Sequence, residues 1–210
     1  MLQLDITGKM NKMLNKIAKI IPETSFKNKL RCFYWNNFKK NNFKIYFRDR
    51  LWQIKCKIGK FKFYENPYPY FLDVKYYFRH YKLKRGDTVI DAGAYPGDFA
   101  MYAAKIIENG KVIAFEPDRI NYEKMAANIK LNKIENIILI EKALYSKEGL
   151  INFSDKHTEN SSINENGEAK VKIATLDKEL KRLKIKKLDF IKIDVEGAEF
   201  EAIKGCKKTI

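Results

Sequence analysis

Acidic residues stand just beyond several apolar runs that read as β-strands, and their positions decide what chemistry is open to this chain. In TVIDAGAYPGDF the run ends at Asp91, passes Gly93 and Gly97, and reaches Asp98 on what reads as the first turn of a helix. In KVIAFEPD the acid after the strand is Glu116, and in FIKIDVEGAEF the strand is followed by Asp194 and Glu196. In a parallel α/β sheet the ligand sits at the C-terminal ends of the strands, and glycines after the first strand let it approach the backbone. Asp91, Gly93, Gly97 and Glu116 are therefore candidate cofactor ligands. Ala143, near the end of a third apolar run, marks where a purine edge would rest. Asp194 and Glu196 are the acids available to orient or deprotonate a hydroxyl.

The sign of the charge selects the ligand. A dinucleotide fingerprint reads G-x-G-x-x-G, whereas this turn reads D-x-G-x-x-x-G, with Tyr95 where the second glycine would fall. A helix N-terminus attracts pyrophosphate, but here a diphosphate would face Asp91 and Asp98. S-adenosylmethionine carries no phosphate and presents an ammonium and a sulfonium, to which Asp91 is a suitable neighbour, directly or through water. Asp98 is weighted below Asp91, because an acid on a first helical turn stabilises the helix dipole whatever is bound. Glu116 lies 23 residues after Gly93, about the spacing at which an acid accepts from ribose hydroxyls. That role indicates a nucleoside and is common to both ligands. The expected cofactor is S-adenosylmethionine.

The elements that must position these residues follow one another regularly from about residue 71. An aromatic helix over FLDVKYYFRHY leads to the strand TVIDAG, then to the helix DFAMYAAKIIENG with Gly110 as its C-cap. After the strand KVIAFEP, Asp118 caps the helix RINYEKMAANIKLN, and NIILIEKAL is a third strand. GLINFS and AKVKIATLD read as strands flanking the polar loop SDKHTENSSINENGE, whose length and polarity suit a lid and whose His157 could arrive as a base. A helix KELKRLKI capped by Asp177, the strand LDFIKIDV and a helix EGAEFEAIKG stopped by Gly205 complete the pattern. Strands alternating with helices predict an α/β, doubly wound parallel sheet.

These segments resemble the FkbM-type methyltransferases, a branch of the class I S-adenosylmethionine-dependent enzymes. The resemblance rests on VIDAGAYPGDF, KVIAFEPD, IILIEKAL, the TLD before the fourth core strand and, most specifically, FIKIDVEGAEFEAIKG, together spanning roughly residues 71 to 208. It implies a Rossmann-like fold and O-methylation of a hydroxyl on a glycan or other small molecule. Asp91, Gly93, Gly97, Glu116 and Ala143 are carried over as cofactor contacts, and Asp194 and Glu196 face the acceptor. Tyr95 and Pro96 depart from the small and aliphatic residues usual in the family. The family also continues into further strands and a helix beyond this last one, so a C-terminally incomplete core is expected.

Residues 1–70 read as a separate basic, aromatic extension before a core over 71–210. KMNKMLNKIAKII predicts an amphipathic helix, for docking on its own domain or for peripheral contact with an anionic membrane. CFYWNNFKKNNFKIYFRDRLW could stack and neutralise nucleic acid, which keeps an RNA-modifying enzyme as an alternative, beside a non-catalytic adenosyl-binding scaffold. ENPYPY, which resembles a base-gripping loop of nucleic-acid amino-methyltransferases, reads as a proline turn because lysines interrupt the residues before it. Lys+Arg exceed Asp+Glu by 42 to 26, an excess that could serve a nucleic acid, an acidic lipid surface or an acidic substrate, or equally reflect compositional bias, since most of it is lysine that reads as dispersed along the chain. Three widely spaced cysteines suggest neither a disulfide framework nor a zinc site, and no essential metal is expected. With no run long enough to span a membrane and no signal-like start, the expected location is the cytoplasm.

Overall fold

Alternating burial builds the first elements. The computed structural model describes residues 24–39, 41–71, 74–154, 161–164 and 166–210; the amphipathic segment 9–21 and His157 lie outside these. Contacts divide the chain into two compact units that meet between Phe61 and Lys62, ahead of the compositional boundary at residue 70. In the first unit, helix α1 (Ser25–Phe38) starts at Thr24, whose side chain accepts from the Lys27 N–H at 3.2 Å. Strands β1 (Phe43–Arg48) and β2 (Leu51–Cys56) pair antiparallel, with Ile45 opposite Ile54 and both fully buried. Asp49 and Arg50 both take positive φ between them, the backbone of a two-residue hairpin turn. β3 (Gly59–Phe63) adds the third strand beside β2.

In the second unit the aromatic segment is helical over less than its spacing predicts: among the described residues α2 (Tyr68–Phe71) and α3 (Val74–Tyr77) are helical, and the chain leaves the helix after Tyr77, short of Tyr81. The physical reason lies in its rings: Tyr77 and Phe78 both pack on Phe99, at 5.3 Å each, and adjacent residues of a continuing helix would diverge. ENPYPY opens α2, the Asn66 side chain accepting from the Tyr68 N–H at 3.1 Å.

The core sheet then assembles as expected. β4 (Thr88–Ala92), α4 (Asp98–Ile107), β5 (Lys111–Phe115), α5 (Arg119–Leu131) and β6 (Ile137–Ile140) alternate, and β4, β5 and β6 pair in parallel. Asp118 caps α5 by accepting from the N–H groups of Ile120 and Asn121. A second, four-stranded sheet follows from β7 (Ala143–Leu144), β8 (Gly149–Ser154), β9 (Ser162–Ile163) and β10 (Ala169–Ala174), in the order β7-β10-β8-β9. Then α6 (Leu176–Arg182) leads to β11 (Phe190–Ile193), which pairs in parallel with β4, and α7 (Glu199–Lys204) ends the described elements. The core order is β11-β4-β5-β6, so the chain builds outward from β4 and then returns to its other side. The reversal puts the topological switch point between β4 and β11. Val89, Val112 and Ala114 face one buried cluster with Phe99 and Met125, while Ile90, Ile113 and Phe115 face another with Leu176 and Ala202.

Three local expectations are corrected. The C-cap of α4 is Glu108, at positive φ, not Gly110; a Cβ on Gly110 would lie 2.1 Å from the Asp87 carbonyl oxygen, so the glycine allows a close backbone approach. Thr175, not Asp177, caps α6, and Asp177 instead accepts from Lys208 N and Thr209 Oγ1 near the end of α7. Ala143 stands in the second sheet and not on the third parallel strand. Among the described residues no helix is long and apolar enough to cross a membrane. Gly110→Ala should lower unfolding free energy by about 1–3 kcal/mol through overpacking, read as a lower urea midpoint; an unchanged midpoint would contradict the close approach.

Candidate functional site

One register pairing organises the site. β11 sets Lys192 opposite Asp91 of β4, and both side chains are buried, at 6% and 0% exposure. The Lys192 Nζ donates to Asp91 Oδ1 at 3.0 Å and to the Gly93 carbonyl at 2.9 Å, and lies 3.7 Å from Asp194 Oδ2. It also sits over the rings of Tyr77 and Phe99, at 5.3 and 5.8 Å. Burial works against the lysine's charge, but Asp91 and Asp194 outweigh it and hold its pKa above the ordinary value. The cation binds the first strand, the glycine turn and the fourth strand into one structure.

A cavity opens above this pair at the switch point. Gly93, Glu116, Ala143, Asp194 and Glu196 all line it, so five of the seven sequence candidates converge. The other two stand behind its wall. Asp91 lies beneath the floor, its Oδ1 taken by Lys192 and its Oδ2 closing no hydrogen bond. Gly97 is the N-cap of α4 at φ 93°, where a Cβ would meet Met125 Cγ at 3.0 Å. Asp98, weighted lower from sequence, lines the cavity while Asp91 does not. Gly93 serves its own chain as well as any ligand: at φ 75°, a Cβ there would lie 1.9 Å from the Asp194 carbonyl oxygen.

Glu116 is held ready as an acceptor. It receives the N–H groups of Tyr95 at 3.2 Å and Asp118 at 3.0 Å, and is 5% exposed. Burial nonetheless pushes its pKa up to about 7. Burial likewise raises Asp98 to about 7, although Lys192 pulls it down. Asp98, Glu116, Asp194 and Glu196 line the cavity with Lys192 as the one lysine or arginine among the described lining residues, so when the carboxylates are ionised the lining carries a negative excess. A diphosphate would meet that excess unfavourably; a ligand bearing ammonium and sulfonium charges would relieve it. The residues present therefore fit S-adenosylmethionine. Glu196 is exposed, has positive φ and does not cap α7; Glu199 accepts the nearby N–H groups of Val195 and Gly197 instead. Among the described residues no cluster of three His, Cys, Asp or Glu side chains is placed to hold a metal.

The walls contain residues that sequence reasoning missed. The Tyr77 hydroxyl donates to Asp194 Oδ2 at 2.8 Å, and burial followed by this carboxylate drives the phenol's pKa well above its usual value. Tyr95 and Tyr70 line the cavity with rings edge-on at 6.3 Å, and the Tyr95 hydroxyl donates to Glu65 Oε2 at 2.5 Å. Phe153 and Ile163 of the second sheet close the side near Ala143. The aromatic richness of the segment was visible in sequence, but the partners of each ring were not.

A parallel sheet in the order β11-β4-β5-β6, its strands alternating with helices, is a Rossmann-like arrangement. The chain belongs to the methyltransferase FkbM domain family, whose profile matches residues 91–210. It is 28% identical over 159 residues to methyltransferase sdnD of Sordaria araneosa, an alignment covering 59% of this chain and 61% of that protein. This chain thus spans about three fifths of the curated relative. Among solved structures it is similar to a SAM-dependent methyltransferase from Aquifex aeolicus (24% identity, TM-score 0.35, 41% of this chain and 47% of that one). It is also similar to a putative rRNA methylase from Clostridium thermocellum (26%, 0.31, 38% and 43%).

The raised Asp98 pKa has a thermodynamic sign. The folded state binds more protons than the unfolded one between about pH 4 and 7, so this carboxyl's contribution to stability falls as pH rises through that window. Asp98→Asn removes the fall. The stability difference between variant and wild type should therefore shift in the variant's favour from pH 4 to pH 7 and level off above, as read by urea unfolding at each pH. A difference independent of pH would refute the assignment.

Proposed function

We propose that the chain binds S-adenosylmethionine at the β4/β11 switch point and supports methyl transfer to a hydroxyl oxygen of a glycan or other small molecule. The observation that carries this reading is the excess of carboxylates over Lys192, the one lysine or arginine among the described residues lining the cavity. In this reading Glu116 accepts from the ribose hydroxyls, its two backbone donors keeping its oxygens aimed. Gly93 presents backbone to the methionine moiety, and Asp98 faces the ammonium. Asp91 acts from behind, anchoring Lys192 instead of touching the ligand. Ala143, with Phe153 beside it, offers a small apolar surface for the purine.

When bound, the cofactor supplies a methyl group activated by sulfonium. Transfer of that kind is an in-line displacement, so the protein's task is to position the acceptor and exclude water. Asp194 is the acceptor-side carboxylate. Its Oδ2 is engaged by Tyr77 and faces Lys192, while no described residue donates to Oδ1, which is left to receive an acceptor hydroxyl. Tyr77 is in this sense a positioning residue, and Glu196 stands at the same rim as a further acid near the acceptor.

Isothermal titration should show S-adenosylmethionine and its demethylated product binding, with Glu116→Ala weakening both by about tenfold or more, the value of hydrogen bonds to a charged group. Because Glu116 and Asp98 must ionise, affinity should rise as pH is raised through about 7. Unchanged affinity in the variant would count decisively against the site.

Once an acceptor is in hand, Tyr77→Phe should lower kcat by about tenfold, the cost of a lost hydrogen bond to a charged group, without changing cofactor affinity. Loss of cofactor affinity instead would place Tyr77 in the binding wall alone.

A further inference from the structure

Charge divides between the two units far more unevenly than residues do. Residues 1–61 carry 15 Lys and Arg against 3 Asp and Glu, a net +12, whereas residues 62–210 carry 27 against 23, a net +4. The excess that reads as dispersed in the sequence is concentrated in the first unit. The same unit displays apolar surface: on α1, Phe26, Leu30 and Phe33 are 67%, 44% and 61% exposed. Their spacing of four and three residues puts them on one stripe of the helix. Cys32, on another face of the helix, is buried, and the Trp35 ring lies 6.1 Å from buried Trp52. This helix therefore has an inner face committed to its own unit and an outer apolar face left to solvent. Lys29, Lys39, Lys44, Lys55, Lys57 and Lys60 are exposed in the same unit.

We propose that the first unit is a peripheral membrane-docking module, with the Phe26/Leu30/Phe33 stripe entering the headgroup–acyl boundary of an anionic bilayer and the unit's exposed lysines, Lys29 beside the stripe by helical spacing, drawn to its phosphates. Charge complementarity selects this occupant. A second copy of the chain would bring the same dense positive charge against itself, which disfavours a dimer through this face. Single-stranded nucleic acid stacks on rings set along a groove that tracks its backbone; in the hairpin Phe43 and Trp52 are buried and Tyr46 and Phe47 half-buried, so among the described residues of this unit the exposed rings, Phe26, Phe33 and Phe38, are confined to one helix. An outward helical stripe that includes leucine suits lipid, where apolar area and electrostatic attraction act together.

The test is co-sedimentation of the full chain with phosphatidylcholine vesicles and with 7:3 phosphatidylcholine–phosphatidylglycerol vesicles. Binding to the anionic vesicles should be at least tenfold stronger. The triple variant Phe26→Ser, Leu30→Ser, Phe33→Ser should lose at least tenfold. Both tryptophans of the chain, Trp35 and Trp52, lie in this unit, so an unchanged emission maximum verifies that the variant is folded. If the triple variant shifts that emission, Phe26→Ser and Phe33→Ser made singly decide the matter, each expected to lose about threefold. The proposal is overturned if the wild type ignores anionic vesicles, or if folded variants bind them as well as wild type does. It is equally overturned if the stripe substitutions abolish oligouridine retention or self-association while vesicle binding is unaffected. None of these outcomes bears on cofactor binding in the second unit.

Discussion

The site depends on a single buried ion pair. Lys192 and Asp91 meet because two parallel strands adopt one register, and the lysine's remaining contacts reach the glycine turn and Asp194. Several carboxylates crowded at one end of a sheet repel one another and resist desolvation, so burial drives Asp98 and Glu116 toward neutrality near pH 7. The lysine makes the arrangement tolerable without cancelling it. Removing one partner of such a pair would strand the other charge in the interior, which is far more costly than the net worth of the pair.

The surrounding structure reads as support for that arrangement. Gly93 takes a left-handed conformation so that the β4 turn can pass the end of β11 at a distance no side chain would permit. Phe99, on the first turn of α4, underlies Lys192 and packs against Tyr77, Phe78 and Phe190. Tyr77 in turn reaches Asp194. The aromatic segment before β4 thus couples the packing of the core to the orientation of the acceptor-side carboxylate. On the far side, the small second sheet supplies Ala143, Phe153 and Ile163 as an apolar wall.

Much of this was legible in the residues because the relevant signals are local. Strand-ending acids, turn glycines and the Asp118 cap lie next to the elements they serve, and the strand–helix alternation is enough to predict a parallel sheet. The Lys192–Asp91 pair was not legible. Its partners are 101 residues apart, and a lysine between isoleucines in FIKI reads as the solvent side of an alternating strand. For the same reason Asp91 looked like a direct ligand and Asp98 like a mere helix-dipole residue, whereas Lys192 and Asp98 line the cavity and Asp91, bonded to the lysine, does not. The β1–β2 hairpin escaped notice because its turn, Asp49–Arg50, lacks the glycine that usually marks two positive φ angles. The Tyr77–Asp194 bond joins residues 117 positions apart, beyond the reach of any spacing argument.

The central claim is that the switch-point cavity prefers a cationic nucleoside to a diphosphate. Equilibrium dialysis of the chain against labelled S-adenosylmethionine, with and without excess NADH, tests it most directly. The account predicts that the sulfonium ligand is retained and that NADH leaves the retained amount unchanged. Retention of NADH with no uptake of S-adenosylmethionine would contradict it.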